Sequence, residues 1–393
     1  MKLQKYRLDV GGRINRTKRL TFKFNGKTYE GYAGDTLASA LLANGVKIIG
    51  RSFKYHRVRG ILSAGFEEPN ALVQLESGAR TEPNIQATCV ELYDGLIAKS
   101  QNCWPSLNFD IYAINDKIKR LLPAGFYYKT FMSSQWAWMK FYEPAIRRAA
   151  GMGKSPTVAD PHIYDHQYAH CDVLICGGGI SGIAAALAAG RAGARVILVD
   201  TGSEFGGSLR SRHEKIDGLS TKDWVLNAIN ELESFEEVIL LNRTFASSYY
   251  DHNMVVLDQR VADHKSYPDT YEPRRRLWQV RATKVILATG AAERPLVFAN
   301  NDLPGVVLAS AAQSYTNLYG IFLGEKAAVF TNNCSAYPVA VSLKRAGVQV
   351  PAIIDVRSEI PDSSSVMAKD AEIPVICASV VCKANGRKLL KSI

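Results

Sequence analysis

The chain has 393 residues, of which 48 are Lys or Arg and 37 Asp or Glu, giving a net charge of +11, and 47% are hydrophobic. This is the balance of a soluble globular protein with room for two or three domains and large cores. No apolar run reaches the roughly 20 residues of a membrane span, and the basic start, Met1 to Arg7, has no apolar stretch behind it to form a secretory signal. The seven cysteines are scattered with no C-x-x-C, so a cytoplasmic location is expected. Positive charge gathers at Arg51 to Arg59 (with His56), at Arg147-Arg148 and at Arg274-Arg275-Arg276. Nothing around these clusters has the form of a nucleic-acid module. They are expected to be solvated faces or subunit contacts, with no nucleic-acid or membrane partner.

The first domain, residues 1–105, reads as a hairpin followed by a helix. Leu20 to Phe24 alternates apolar and polar, Asn25-Gly26 supplies a tight turn, and Lys27 to Tyr32 returns. Asp35 is placed to cap a helix over Thr36 to Ala43, which Asn44-Gly45 ends. That order is the order of a β-grasp, the scaffold of plant-type [2Fe–2S] ferredoxins, whose loop after the helix carries C-x₄-C-x₂-C. Here the loop from Ile61 to Leu72 contains no cysteine, so no cluster and no metal are expected. Residues 106–168 read as a connecting segment rich in aromatics, among them Phe126-Tyr127-Tyr128, Trp136, Trp138 and Phe141-Tyr142. They are expected to pack the small domain onto the large one.

A Rossmann domain is expected over residues 169–325. Cys171 to Cys176 reads as a buried strand, and Gly177, Gly179 and Gly182 follow in the G-x-G-x-x-G spacing. The first glycine permits the sharp turn, the second the approach of a pyrophosphate, and the third close packing of helix on strand. The helix N-terminus then offers unpaired N–H groups to the phosphates. The helix runs to Arg191 and Gly193 ends it; a second strand, Arg195 to Val199, leads to Asp200, placed to accept the ribose hydroxyls of an adenine nucleotide. Asp200 serves the adenosine of NAD or of FAD equally well. Cys171 and Cys176 are expected to be small buried residues. Gly206-Gly207-Ser208 forms a second glycine turn, and Lys284 to Ala291 runs a strand into Ala-Thr-Gly, which favours the glutathione-reductase type of Rossmann domain.

Residues 326–393 read as a nested, incomplete second Rossmann-like subdomain. A strand at Lys326 to Thr331, a turn at Asn332 to Tyr337, a helix to Arg345 and a strand at Val350 to Ile354 ending on Asp355 keep the βαβ order without the glycines. Asp355 is either a strand-end residue or a ribose ligand. Ile373 to Cys382 and Arg387 to Leu390 look like strands about an Asn385-Gly386 turn, and no return segment follows before Ile393. The fold class is therefore α/β: a cluster-free β-grasp, then an FAD/NAD(P)-binding Rossmann domain with a nested unit, truncated. No catalytic residue can be named; His56, His170 and His252 each read as structural.

Several stretches in order resemble the alpha subunit of heterotetrameric sarcosine oxidase. They include Gly50-Arg51-Ser52-Phe53-Lys54-Tyr55-His56-Arg57, Glu67-Glu68-Pro69-Asn70-Ala71-Leu72, Glu91-Leu92-Tyr93-Asp94-Gly95-Leu96, Ala124 to Phe131, Tyr249-Tyr250-Asp251-His252-Asn253, Ala288 to Pro295, and Asn301-Asp302-Leu303-Pro304-Gly305. The resemblance spans almost the whole chain. It implies oxidative demethylation of sarcosine to glycine, a one-carbon unit and hydrogen peroxide. The substrate meets an FAD in the beta subunit and electrons pass to an FMN near the alpha–beta boundary. Gamma and delta subunits complete the assembly, and the alpha subunit carries an NAD. By position, the resemblance places that NAD against Gly177, Gly179, Ser181 and Gly182. It sets Asp200 and Thr201 at the ribose, Ser208 near the phosphates, and Ala246 at the adenine through its backbone. A C-terminal folate-binding domain of the family has no counterpart here. Three alternatives remain: a related amine, opine or proline dehydrogenase subunit, a self-contained flavin oxidoreductase, or a non-catalytic remnant.

Overall fold

The structure, a computed structural model, describes residues 4–125, 131, 133–266 and 269–393. Contacts divide it into two units, Met1–Asp160 with Glu293–Ile393, and Pro161–Ala292. In the first, β1 (Asn15–Phe24) and β2 (Lys27–Ala33) form the expected hairpin. Asn25 and Gly26 both take positive φ, at 49° and 78°, the geometry that a two-residue turn between twisted strands requires. Leu20, Phe22 and Phe24 alternate inward along β1. Helix α1 (Leu37–Ala43) buries Leu37 and Leu41 completely, worth about 2–3 kcal/mol each. Its cap is Thr36, not Asp35. Thr36 Oγ1 accepts from Ser39 N while Ser39 Oγ accepts from Thr36 N, a reciprocal capping box. Asp35 is taken instead by a buried pair with Arg7, 2.6 Å away.

Strands β3 (Leu72–Leu75), β4 (Glu82–Gln86) and β5 (Ile97–Ser100) complete a mixed sheet in the order β2-β1-β5-β3-β4, with β5 parallel to β1. That is the β-grasp. After it come short turns over Ile111–Ala113, Ile114–Lys117 and Lys119–Leu121, and then a helical run over Gln135–Ala137, Trp138–Tyr142 and α2 (Glu143–Ala150). Phe126 to Tyr128 lie outside the described residues. Trp104, Phe109, Trp136 and Phe141 are each more than half exposed, so these aromatics are not used up in the core.

The second unit is a six-stranded sheet. Its central strand β6 (Tyr164–Cys176) starts six residues before His170 and leads into α3 (Ile180–Arg191), β7 (Val196–Val199), α4 (Thr221–Glu233) and β8 (Val238–Leu241). β9 (Thr244–Tyr250) and β10 (Met254–Arg260) form an antiparallel hairpin, and β11 (Arg275–Leu287) returns to lie parallel to β6. The order is β8-β7-β6-β11-β10-β9: a parallel, Rossmann half and an antiparallel half. The parallel half is covered by Ile183, Ala186 and Leu187 of α3 and Leu232 of α4.

The chain then rejoins the first unit. Helix α5 (Ala309–Asn317) falls in the stretch assigned to the Rossmann domain from sequence, yet Ala311 and Tyr315 belong to the β-grasp core. Tyr315 is fully buried and donates from Oη to Ser63 O at 2.8 Å; burial pushes its phenol well above the usual range. A three-stranded parallel sheet follows: β12 (Val329–Thr331), α6 (Ala336–Arg345), β13 (Ile353–Asp355), α7 (Asp362–Asp370) and β14 (Val375–Ile376). The expected long strands after Ile373 are corrected. Only Val375–Ile376 pairs in the sheet, and the tail near Asn385-Gly386 makes single bridges, Ala299 with Lys383 and Asn385 with Ser392. Among the described residues no strand lies beside most of the tail.

In the basic clusters most of the charge is paired within the chain. Arg57 and Arg59 both meet Asp302, Arg274 and Arg275 meet Asp263, Arg276 meets Asp165, and Arg147 meets Glu143. Arg51 is buried beside Asp110.

Candidate functional site

Two of the three glycines of the fingerprint occupy positions that a side chain would spoil. Gly177 turns at φ 112°, and a Cβ there would lie 2.2 Å from Ala288 O. A Cβ on Gly182 would lie 1.8 Å from Gly177 O, so only glycine lets α3 pack this closely on the end of β6. Gly179 is different: a Cβ there would meet nothing within 4 Å. It is the N-cap of α3 and no side chain caps the helix. The first N–H groups of α3 therefore have no side-chain acceptor at the turn.

Asp200 stands beneath this turn. One carboxylate oxygen accepts from Gly178 N at 2.6 Å, the other from Gly202 N at 2.7 Å. The second bond is a local Asx turn; the first ties the end of β7 to the glycine turn. The second glycine turn meets the first: Gly206 N donates to Gly178 O at 2.7 Å, and a Cβ on Gly207 would sit 3.0 Å from Gly179 Cα. Gly177, Gly179, Gly182, Asp200 and the Gly206-Gly207-Ser208 turn thus lie together. Ser181 and Ser208 are exposed and Thr201 is half-buried, its carbonyl held by Arg260 Nη2 at 2.7 Å. Ala246 lies inside β9, which continues to Tyr250, opposite Leu257. It belongs to this end of the sheet through Thr244, whose N–H donates to Asp200 O at 2.8 Å.

The residues that sequence reading missed are Gly178 and Gly202, whose amides orient Asp200. The signal was present in the two-residue step from Asp200 to Gly202. Cys171 and Cys176 are buried, and burial pushes both thiols up to about 11; they pack and are not poised for thiolate chemistry. His170 and His252 are exposed. His56 is buried, its Nδ1 2.7 Å from Asp110 and its Nε2 2.7 Å from Ala149 O, a clasp rather than a base facing a pocket.

Two other places in the chain have the form of ligand sites. In the second βαβ unit Asp355 is fully buried, paired with Arg357 and accepting from Tyr337 Oη at 2.8 Å. Hydrogen bonds from Arg357, outweighing burial, hold its carboxyl below the usual range. It is a strand-end residue engaged by its neighbours. In the β-grasp, the loop that holds a cluster in ferredoxins closes on Glu68. One of its oxygens accepts from Leu62 N and Ser63 N, the other from Asn70 N and Ala71 N, all within 3.1 Å. Among the described residues no group of three His, Cys, Asp or Glu could hold a metal. The donors of this loop do not fit an iron–sulfur cluster.

A family model of 2Fe-2S iron-sulfur cluster binding domains matches residues 17–103, and one of FAD dependent oxidoreductases matches residues 172–287. The chain is 50% identical over 391 residues to the sarcosine oxidase subunit alpha of Rhizobium meliloti (strain 1021), a match that takes in 100% of this chain and 39% of the relative. It is 38% identical over 384 residues to the subunit of that name from Corynebacterium sp. (strain U-96), covering 96% of this chain and 34% of the relative. Among solved structures, the L-proline dehydrogenase from P. horikoshii superposes with a TM-score of 0.62 at 20% identity, over 98% of this chain and 57% of that one. Over its whole length, then, this sequence is similar to sarcosine oxidase alpha subunits, of which it spans little more than a third. Its two recognisable domains are a ferredoxin-like β-grasp and an FAD-oxidoreductase Rossmann domain.

Proposed function

We propose that this chain works as part of a sarcosine oxidase alpha subunit that holds an adenine dinucleotide at the Gly177–Gly182 turn and docks companion subunits. The observation that carries the reading is the 50% identity to one such subunit along the entire chain. In this reading the complex removes two electrons from the N-methyl group of sarcosine. Water hydrolyses the resulting imine to glycine and a one-carbon aldehyde, and molecular oxygen takes the electrons to give hydrogen peroxide. The substrate site belongs to a beta subunit, and gamma and delta subunits complete the assembly.

The dinucleotide is read as NAD, with Gly177, Gly179, Ser181 and Gly182 at the pyrophosphate, Asp200 and Thr201 at the adenosine ribose, Ser208 beside the phosphates and the Ala246 backbone at the adenine. The open N-terminus of α3 supplies N–H donors and partial positive charge to the phosphates. Asp200, already fixed by two amides, presents its remaining lone pairs to the ribose. A bound NAD or FAD would bring hydride chemistry, and FAD is the second reading, favoured by the family model that matches residues 172–287. Native mass spectrometry of the purified chain, with its released small molecules identified, separates the two. NAD supports the first reading and FAD the second. A folded chain that retains neither dinucleotide, even when each is added at millimolar concentration, would overturn the site.

A further inference from the structure

The loop that follows β7 is braced along its length. Thr201 O accepts from Arg260 Nη2 at 2.7 Å, Gly202 O from Arg243 N at 2.8 Å, and Ser203 O from Asn242 Nδ2 at 2.7 Å. Three consecutive carbonyls are thus tied to residues at the ends of β8 and β10, and the side chains beside them hold fixed places. A loop ordered before binding loses little freedom when a ligand arrives.

Opposite charges converge on Gly202 in this loop. A Cβ there would lie 3.0 Å from Asp200 Oδ1 and 3.7 Å from Arg210 Nη1. The Arg210 stem is set by the second glycine turn, since a Cβ on Gly206 would lie 3.1 Å from Arg210 Cγ. Its guanidinium is only partly used. Nη2 meets the Glu204 carboxylate at 3.2 Å, while Nε is buried and has no hydrogen-bond partner among the described residues. The Glu204 side chain is 60% exposed, against 20% for Arg210. The acid stands in solvent and the base beneath it is mostly covered.

These charges bear on which adenine nucleotide suits the turn. In dinucleotide sites an acid at the end of the second strand takes the ribose hydroxyls, and an arginine nearby accommodates a 2′-phosphate where one is present. Here both residue types stand side by side, and Glu204 decides between them. An arginine that shares its charge with a carboxylate attracts a phosphate poorly, and the two carboxylates around it repel one. We propose that the site takes an adenosine whose ribose bears a free 2′-hydroxyl and refuses one bearing a 2′-phosphate, and that Glu204 determines this by occupying Arg210. The inference rests on the dinucleotide reading above. It holds for NAD and FAD alike, because both carry a free 2′-hydroxyl on the adenosine. Without Glu204, Arg210 has Nε and Nη2 free on one edge of the guanidinium, the fork that binds phosphate oxygens in pairs.

The test is calorimetry on the full chain, freed of any nucleotide it retains. The probes are ADP, the half that NAD and FAD share, and its 2′-phosphorylated form. The parent should bind ADP roughly 30-fold more tightly than 2′-phospho-ADP. Glu204→Ala should narrow that ratio about tenfold by tightening 2′-phospho-ADP, and adding Arg210→Gln should abolish the gain. The control Glu231→Gln, on α4 and paired with Arg191, should leave the ratio at its parental value. An ion pair in solvent contributes little to stability, so Glu204→Ala should melt with the parent, which confirms its folding. If the parent binds neither probe, the dinucleotide reading fails and takes this inference with it. If the parent binds both probes equally, the reading stands and this inference is overturned. A parental ratio in Glu204→Ala, or a gain that survives the loss of Arg210, would overturn it in the same way.

Discussion

The two βαβ units of this chain end their second strands on the same residue type and treat it in opposite ways. Asp200 accepts two backbone amides, one of them from the glycine turn that precedes α3. Asp355 is buried under Arg357 and Tyr337. The turns differ likewise: a Cβ on Gly179 would meet open space, whereas Asn333 Oδ1 accepts from Ser335 N and Thr331 Oγ1 from Asn333 N. Neither α3 nor α6 has a side-chain cap; the difference lies in the aspartates, one held by backbone amides and the other by neighbouring side chains, and in the turns. A shared topology therefore does not imply a shared site.

The sharpest way to break this contrast is Gly182→Val. The added Cβ falls on Gly177 O, so α3 must move; we expect a loss of about 3 kcal/mol in urea denaturation and no retained dinucleotide. Retention at parental affinity would refute the packing role. Asp355→Ala leaves the Arg357 guanidinium and Tyr337 hydroxyl without their shared acceptor. It should also cost about 3 kcal/mol, but with dinucleotide affinity unchanged. Asp200→Ala should show the reverse: about 1 kcal/mol in stability and roughly 30-fold weaker dinucleotide binding by calorimetry, two lost hydrogen bonds being worth about 2 kcal/mol. Equal effects of the two aspartate variants on binding would erase the distinction.

Smaller effects concern pH. Burial alone would raise the Asp302 carboxyl, but hydrogen bonds from Arg57 and Arg59 outweigh it and hold it below the usual carboxylate range. A depressed folded pKa adds stability that is present above the unfolded value of about 4 and is lost as pH falls through the folded one. Melting temperature should therefore drop below pH 4, and Asp302→Asn should flatten that drop. Hydrogen bonds from Arg195 hold the exposed Asp172 at about 2; being solvated, this pair should contribute nothing measurable, and Asp172→Asn should melt with the parent at pH 7.

What the sequence made legible was local. The Asn25-Gly26 turn, the alternation of β1 and the glycine spacing each encode a backbone geometry within a few residues, and all were found where expected. Long-range partners were not legible. Nothing near Arg57 indicates Asp302, 245 residues away, and nothing in α5 indicates that Tyr315 completes the β-grasp core. The cap of α1 was misread because Asp35 and Thr36 both suit that role, and the choice depended on Arg7 claiming the acid. At the candidate site the glycines and Asp200 were readable from spacing. The amide of Gly202 was signalled by its two-residue step from Asp200; that of Gly178 was not, since a backbone donor has no residue signature.

Glu68 bears on how this protein is made. A ferredoxin loop reaches its final shape only when iron and sulfide have been assembled elsewhere and delivered, so its maturation follows the cell's supply of both. The loop here gathers its four amides around a carboxylate translated with the rest of the chain. Synthesis in iron-starved cells, or folding in the presence of chelator, should yield a β-grasp with the same melting temperature. The β-grasp can mature as soon as the ribosome releases the chain.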